Sequence, residues 1–228
     1  MRVKFAGLQK TSLLDYPGYV ASVLFTPGCN LHCPYCYNWR IAFQPSPPFL
    51  SEKDALEILR QRKRYVDAIV ITGGEPTIHN DLPTFLKMTK VENFIVKLDT
   101  NGFRPDILED CLPYLDYVAL DVKTSPRKYH MLGAGDVSPL LKSIDLLKSG
   151  KVSYEFRITV VPEVVVARDI EEIGELCRGA ERLILQQFFP ENAYEGCFKQ
   201  LNPYSVEILH LFASILRNYV NEVLVRYL

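Results

Sequence analysis

Three cysteines fall close together at Cys29, Cys33 and Cys36, in the run Cys29-Asn30-Leu31-His32-Cys33-Pro34-Tyr35-Cys36. Thiolates at such spacing can share one metal centre. Structural zinc is usually held by four ligands in two separated pairs, and an electron-transfer ferredoxin wants a fourth cysteine. The other cysteines, Cys111, Cys177 and Cys197, are isolated and read as buried thiols. A [4Fe–4S] cluster held at three irons keeps its fourth iron open to a substrate or cofactor. The alternative is a structural metal site completed by His32, His79 or a distant cysteine.

Further polar groups sit where apolar runs end. Gly73-Gly74-Glu75-Pro76 follows Asp67 to Thr72, Asp99-Thr100-Asn101-Gly102 ends Asn93 to Asp99, and Asp121-Val122-Lys123 ends Tyr117 to Val122. Paired glycines let backbone approach a ligand closely, and carboxylates accept from hydroxyls or ammonium groups. Arg157 alternates with apolar neighbours, so its guanidinium reaches either a ligand or the neighbourhood of Glu155. Gln186 and Gln187 close another run, and alternation cannot say which faces inward without a fixed register.

The elements that must position these groups alternate between β-branched runs and helix-like stretches. Strands are predicted at Tyr19 to Thr26, Asp67 to Thr72, Asn93 to Asp99, Tyr117 to Val122, Ser153 to Val161 and Arg182 to Phe188. Between them, helices are predicted at Ala55 to Arg64, Asp81 to Lys90, Pro105 to Leu112, Pro139 to Ser149 and Asp169 to Arg178. Ser51 has the form of an N-cap for the first. A turn at Asp15-Tyr16-Pro17-Gly18 precedes the first strand. The last segment reads as a helix from Pro203 to Tyr219 and a short strand at Val223 to Tyr227. This is an α/β pattern with six β-to-α steps, too few for a closed eight-stranded barrel, and it predicts a partial (βα)6 TIM-like barrel. In such barrels chemistry sits at the C-terminal ends of the strands, where the polar clusters fall here.

The chain has 228 residues, 48% of them hydrophobic, and reads as one domain able to bury a full core without disulfides. Its 26 Lys and Arg nearly balance 27 Asp and Glu, so no global field draws nucleic acid or anionic lipid. No secretory pattern or membrane-length apolar run is visible, which places the expected thiols reduced in a cytoplasm. The basic run Arg60-Gln61-Arg62-Lys63-Arg64 suits a solvated helix end, or a docking patch for an acidic partner.

Cys-x3-Cys-x2-Cys with an aromatic residue before the last cysteine resembles the radical S-adenosylmethionine superfamily, and Gly73-Gly74-Glu75-Pro76 looks like its motif for the cofactor's amino group. Within it the chain is most similar to activating enzymes of glycyl-radical enzymes, especially that of anaerobic ribonucleoside-triphosphate reductase. The likeness includes Asp15-Tyr16-Pro17-Gly18, Asn38, Asp99-Thr100-Asn101-Gly102 and Asp121-Val122-Lys123. It implies that Cys29, Cys33 and Cys36 hold one [4Fe–4S] cluster whose open iron takes S-adenosylmethionine. It further implies that Asp99 binds the ribose hydroxyls, that Asp121 lies near the cofactor and Lys123 at its carboxylate, and that Tyr35 packs near the adenine. Arg157 and Gln186 or Gln187 are implied at its edge. The implied reaction is reductive cleavage to methionine and a 5′-deoxyadenosyl radical, which abstracts hydrogen from a partner's glycine. The electron comes from an external donor such as flavodoxin or ferredoxin. The rivals are a small-molecule enzyme such as 7-carboxy-7-deazaguanine synthase and a non-catalytic iron–sulfur module. In that synthase Cys-Asp-Thr is usual at the third cysteine, whereas Tyr37 and Asn38 follow Cys36 here.

Overall fold

A computed structural model describes residues 3–227. Ten strands and seven α-helices are assigned among them: β1 (Lys4–Phe5), β2 (Gly7–Ser12), β3 (Ala21–Thr26), α1 (Trp39–Phe43), β4 (Leu50–Ser51), α2 (Glu52–Arg62), β5 (Ala68–Gly73), α3 (Leu82–Val91), β6 (Ile95–Thr100), α4 (Pro105–Cys111), β7 (Tyr117–Asp121), α5 (Ser138–Lys148), β8 (Ser153–Val160), α6 (Ile170–Cys177), β9 (Arg182–Gln187), α7 (Val206–Leu216) and β10 (Glu222–Arg226). The six predicted strands all form, in an eight-stranded sheet of order β10-β9-β8-β7-β6-β5-β3-β2. Seven of its strands are parallel; β2 alone runs antiparallel, beside β3. The sheet does not close, because β10 and β2 are free edges. The expected partial barrel is therefore present, extended by β10 as a seventh parallel strand. The N-terminal strands were not legible in the sequence, since Gly7 to Ser12 is polar and largely exposed.

Parallel register fixes which side chains share a face. Val23 lies opposite Val70, Val70 opposite Lys97, and Lys97 opposite Tyr117. A row nearer the strand C-termini runs Asp99, Ala119, Glu155. This concave face holds a small apolar cluster of Tyr16, Ala21, Val23, Ala68 and Val70 at the N-terminal ends of the strands. Tyr16, from the Asp15-Tyr16-Pro17-Gly18 turn, plugs that end, 4.9 Å from the Tyr19 ring and 5.8 Å from Tyr117. The convex face carries the larger core, which the helices cover with Leu56, Leu59, Phe85, Leu86, Leu108, Ile144, Ile173 and Phe212.

The helices start where the sequence marks them. Ser51 accepts from the Asp54 amide at the N-cap of α2. The basic run at the end of α2 is pinned rather than free: Arg60 grips Glu92, Arg62 donates to the Lys10 carbonyl, and Lys63 to the Asn93 carbonyl. The α6 surface is tight against the C-terminal segment. A Cβ added at Gly174 would lie 2.6 Å from Cδ2 and 2.7 Å from Cγ of Tyr219. Alanine in a helix gains about 1 kcal/mol over glycine, whereas overpacking costs about 1 to 3 kcal/mol. Overpacking wins because the obstacle is the body of a ring. Gly174→Ala is expected to lower unfolding free energy by about 1 kcal/mol in urea denaturation; a stabilised variant would show that the ring yields freely.

Candidate active site

The loops at the C-terminal ends of the strands enclose a cavity of about 330 Å³. Every site residue singled out in the sequence lines it: Cys29, Cys33, Tyr35, Cys36, Asn38, Gly73, Gly74, Glu75, Asp99, Asp121, Lys123, Arg157, Gln186 and Gln187. Residues from five strands and the cysteine loop thus converge at one place. Thr72, Thr100, Asn101, Thr159, Phe43, Phe188 and Phe189 complete the wall.

The cysteine loop follows β3 directly and is stitched down at several points. Gly28 N–H donates to the Ile41 carbonyl, His32 N–H to the Leu132 carbonyl, and Cys36 N–H to the Cys33 carbonyl. Across the loop, Glu195 N–H donates to the Pro34 carbonyl, so the segment after β9 straps it from outside. Donors point at sulfur: Leu31 N–H lies 3.4 Å and Asn101 Nδ2 3.8 Å from Cys29 Sγ. Asn101 Nδ2 also donates to Asn30 Oδ1 at 2.8 Å. Burial pushes the Cys29 and Cys33 thiols up to about 11 and raises Cys36 too, while the Lys123 charge pulls all three back. Iron would displace these protons, as thiolates are the ligands.

The geometry fits a cluster better than a single ion. Among the described residues no three Cys, His, Asp or Glu side chains are gathered as ligands of one metal ion, yet the three thiols line one cavity. Three cysteines lining one cavity suit a group in which each thiolate binds a different iron. The histidines considered as a fourth ligand are engaged elsewhere. His79 Nε2 is 2.9 Å from the Pro27 carbonyl, and His32 stacks on Phe43 at 4.6 Å.

Gly73 and Gly74 serve the chain's own close packing. Gly73 has φ +119°, and a Cβ there would sit 2.4 Å from Thr26 N. At Gly74 it would meet the Gly28 carbonyl oxygen at 1.8 Å. The end of β5 thereby lies against the root of the cysteine loop, joined by Gly74 N–H to the Thr26 carbonyl and Glu75 N–H to the Gly28 carbonyl, each 2.8 Å. Asn38 Nδ2 closes the corner on the Gly73 carbonyl at 3.1 Å.

Glu75 is buried, and its carboxylate ties strand ends together. Oε1 accepts from Thr77 N–H, Thr77 Oγ1 and Thr100 Oγ1, and Oε2 accepts from Asn101 N–H. Burial raises its pKa, and the donors of Thr77, Thr100 and Asn101 pull it down. An ammonium contact at this carboxylate would use the remaining lone pair of Oε2.

The charged residues form a chain across three strands. Lys97 Nζ is 3.1 Å from Asp99 Oδ1; Arg157 joins Asp99 at 3.2 Å to Asp121 at 2.9 Å; Lys123 Nζ is 3.3 Å from Asp121. Arg157 therefore bridges two carboxylates and does not pair with Glu155. Burial works against the Asp121 charge, but Arg157 and Lys123 outweigh it and hold its pKa below the ordinary value. Asp121 in turn holds the partly buried Lys123 ammonium well above its usual pKa against the cost of burial. The Lys123 loop is rigid for a local reason: Lys123 N–H donates to the buried Tyr129 hydroxyl, and Ser125 and Lys128 anchor to buried Asp169.

Register also separates the two glutamines. Gln186 lies opposite Thr159, two residues beyond Arg157 on the same face, so it belongs to the concave row. Gln187 takes the opposite parity and donates to the Tyr204 carbonyl at 3.2 Å, although it still lines the cavity. Thr159 was missed from sequence, although strand period two from Arg157 would have found it, and Asn101 was noted only as part of its motif, without the sulfur contact it makes.

Comparison with known proteins finds relatives along the whole chain. A 34% identical protein of Methanocaldococcus jannaschii, provisionally named a glycyl-radical enzyme activating enzyme, aligns over 99% of this chain and 97% of its own length. The 7-carboxy-7-deazaguanine synthase of Thermococcus kodakarensis is 26% identical over 70% of each chain. Among solved structures, Streptococcus suis SuiB bound to precursor peptide SuiA superposes with a TM-score of 0.68 at 18% identity, over 89% of this chain and 47% of that one. That last likeness is one of fold. The family model named Radical SAM superfamily matches residues 23–177, across the cysteine loop and the strand ends that carry Gly73, Asp99, Asp121 and Arg157, and the chain is a member of the Radical SAM superfamily.

Proposed function

We propose that this protein binds one [4Fe–4S] cluster and S-adenosylmethionine in the strand-end cavity and activates a glycyl-radical enzyme by removing hydrogen from a backbone glycine. The carrying observation is that three cluster-type thiols and an ordered chain of carboxylates and cations line one cavity. When bound, the reduced cluster and cofactor supply the carbon radical that does the hydrogen abstraction.

The chain's residues bind and orient. Cys29, Cys33 and Cys36 hold iron, while Leu31 N–H and Asn101 Nδ2 offset charge on the Cys29 sulfur. Asp99, fixed by Arg157, presents a carboxylate to ribose hydroxyls. Lys123 spends one donor on Asp121 and has two left for the cofactor's carboxylate. Tyr35 and Gln186 line the cavity and are the residues we assign to the adenine.

An activase is favoured over a small-molecule enzyme by Tyr37-Asn38 after the third cysteine, with Asn38 spent on the Gly73 carbonyl. It is further supported by aromatic surface beside the cavity. Tyr37 is 64% exposed, and Trp39 and Phe43 pack on Tyr194 at 5.6 and 5.0 Å. Such a rim suits a protruding loop of a folded partner. Anaerobic ribonucleoside-triphosphate reductase is the partner we favour, with a flavodoxin or ferredoxin supplying the electron. Among the described residues no helix is long and apolar enough to cross a membrane.

Anaerobic reconstitution, reduction and addition of S-adenosylmethionine should yield 5′-deoxyadenosine and, with the right partner, a glycyl-radical EPR signal. An intact cluster that never cleaves the cofactor would refute the enzyme reading. Cleavage without a glycyl radical on any candidate partner would turn the assignment to a small-molecule substrate, the activity named for the Thermococcus relative.

A further inference from the structure

One buried side chain, Lys97, joins the Asp15-Tyr16-Pro17-Gly18 turn through Asp99 to the cavity. Lys97 is only 2% exposed, an unusual position for a lysine, and projects from β6 onto the concave face. Its stem occupies the row of Val23, Val70 and Tyr117, beneath the Tyr16 plug. Its ammonium donates to the Asp15 carbonyl at 2.5 Å and lies 3.1 Å from Asp99 Oδ1. The Asp99 carboxylate is thereby held on both sides: Arg157 hydrogen-bonds Oδ2, and Lys97 neutralises Oδ1 without filling its hydrogen-bond site. Oδ1 is one of two buried side-chain polar atoms left without a hydrogen bond among the described residues. A buried acceptor in that state is ready for a donor from a ligand.

We propose that Lys97 is a positioning residue, which locks Asp99 to the Asp15–Gly18 turn so that the plug of the barrel sets the carboxylate that receives the cofactor's ribose. The proposal rests on the reading of Asp99 given above. Removing the ammonium would leave Asp99 tethered by Arg157 alone and free to turn toward Asp121's side of the network. The turn is the other half of the device. Gly18 has φ +86°, with nothing within 4 Å of an added Cβ, so its constraint is backbone conformation alone.

The test is calorimetric titration of S-adenosylmethionine into the reconstituted, unreduced protein, with thermal unfolding of each variant recorded in parallel. Lys97→Met should raise the dissociation constant about tenfold or more, the loss expected for one charge-assisted contact. Asp99→Asn should weaken binding as well, and the double variant should lose no more than Asp99→Asn alone, because Lys97 acts through Asp99. Additive losses, or unchanged binding by Lys97→Met, would overturn the proposal. Unchanged binding by Asp99→Asn would instead remove the ribose assignment, a separately visible failure. Should Lys97→Met fail to fold, Gly18→Ala serves in its place. Straining the turn should raise the dissociation constant about threefold, and an unchanged value would refute the coupling.

Discussion

Cys33→Ala is expected to lose its iron on anaerobic reconstitution and to form 5′-deoxyadenosine at background rate, at least about a hundredfold below the wild type. Loss of groups that merely orient metal ligands already costs about 10- to 100-fold, and here a ligand itself is removed. Two thiols then remain in a cavity where burial disfavours thiolate, and among the described residues no group of three His, Cys, Asp or Glu is gathered to hold metal in their place. Cys111→Ala and Cys177→Ala are the controls. Both thiols are fully buried in the large core, so each change should cost about 1 kcal/mol of stability and leave iron content unchanged. Iron analysis, the visible absorption of the cluster and a cofactor-cleavage assay read all three. A Cys33→Ala protein that keeps its full iron and its activity would refute the ligand assignment.

Gly74→Ala should be the most destabilising of the glycine substitutions, lowering stability by about 4 kcal/mol and the melting temperature by on the order of 10 °C. Its Cβ would overlap the Gly28 carbonyl oxygen at 1.8 Å and the carbonyl carbon at 2.7 Å. Both obstacles are backbone, so no rotamer change relieves the clash. Separation of the two segments would break the bond from Glu75 N–H to the Gly28 carbonyl and displace Cys29, the next residue in the loop. Thermal unfolding of the iron-free protein isolates this effect from metal binding. An iron-free variant melting within about 2 °C of the wild type would show that the strand end and loop part more easily than their packing indicates.

Much of this arrangement was legible one residue at a time. The thiol spacing at Cys29, Cys33 and Cys36 pointed to a metal centre with an open position. β-branched runs located β3 and β5 to β9 within about two residues, because each carries enough apolar length to be buried on both faces. Each polar strand end could be nominated for the site because a parallel barrel exposes those ends to one rim. β2 escaped notice, since an exposed edge strand needs no apolar pattern. Helix ends shifted for a similarly local reason: α2 begins at Glu52, directly after its Ser51 cap, three residues before the first buried alanine.

The partners of those site residues were not legible. Arg157 could have met Glu155 or a ligand; β7 placed Asp121 directly opposite it, and Asp99 came within reach from β6. Glu75 read as a carboxylate for a ligand's amino group, but Thr77, Thr100 and Asn101 take all of its acceptor capacity except one lone pair of Oε2. Gln187 and Gln186 were indistinguishable until pairing with Thr159 fixed the parity of β9. Lys97 resembled any charged residue in a strand until the Asp15 carbonyl, 82 positions earlier, was found beside its ammonium.

By itself, then, the sequence determined the kind of chemistry: three thiols at fixed spacing, a barrel of βα units, and charged or glycine-rich groups at the strand ends. These follow from local spacing and from period-two burial, which a linear chain carries in itself. Tertiary structure decided which groups are free to meet a ligand and which are spent on the protein. That choice depends on strand order and register, because these set which distant residues stand within hydrogen-bond reach across the concave face.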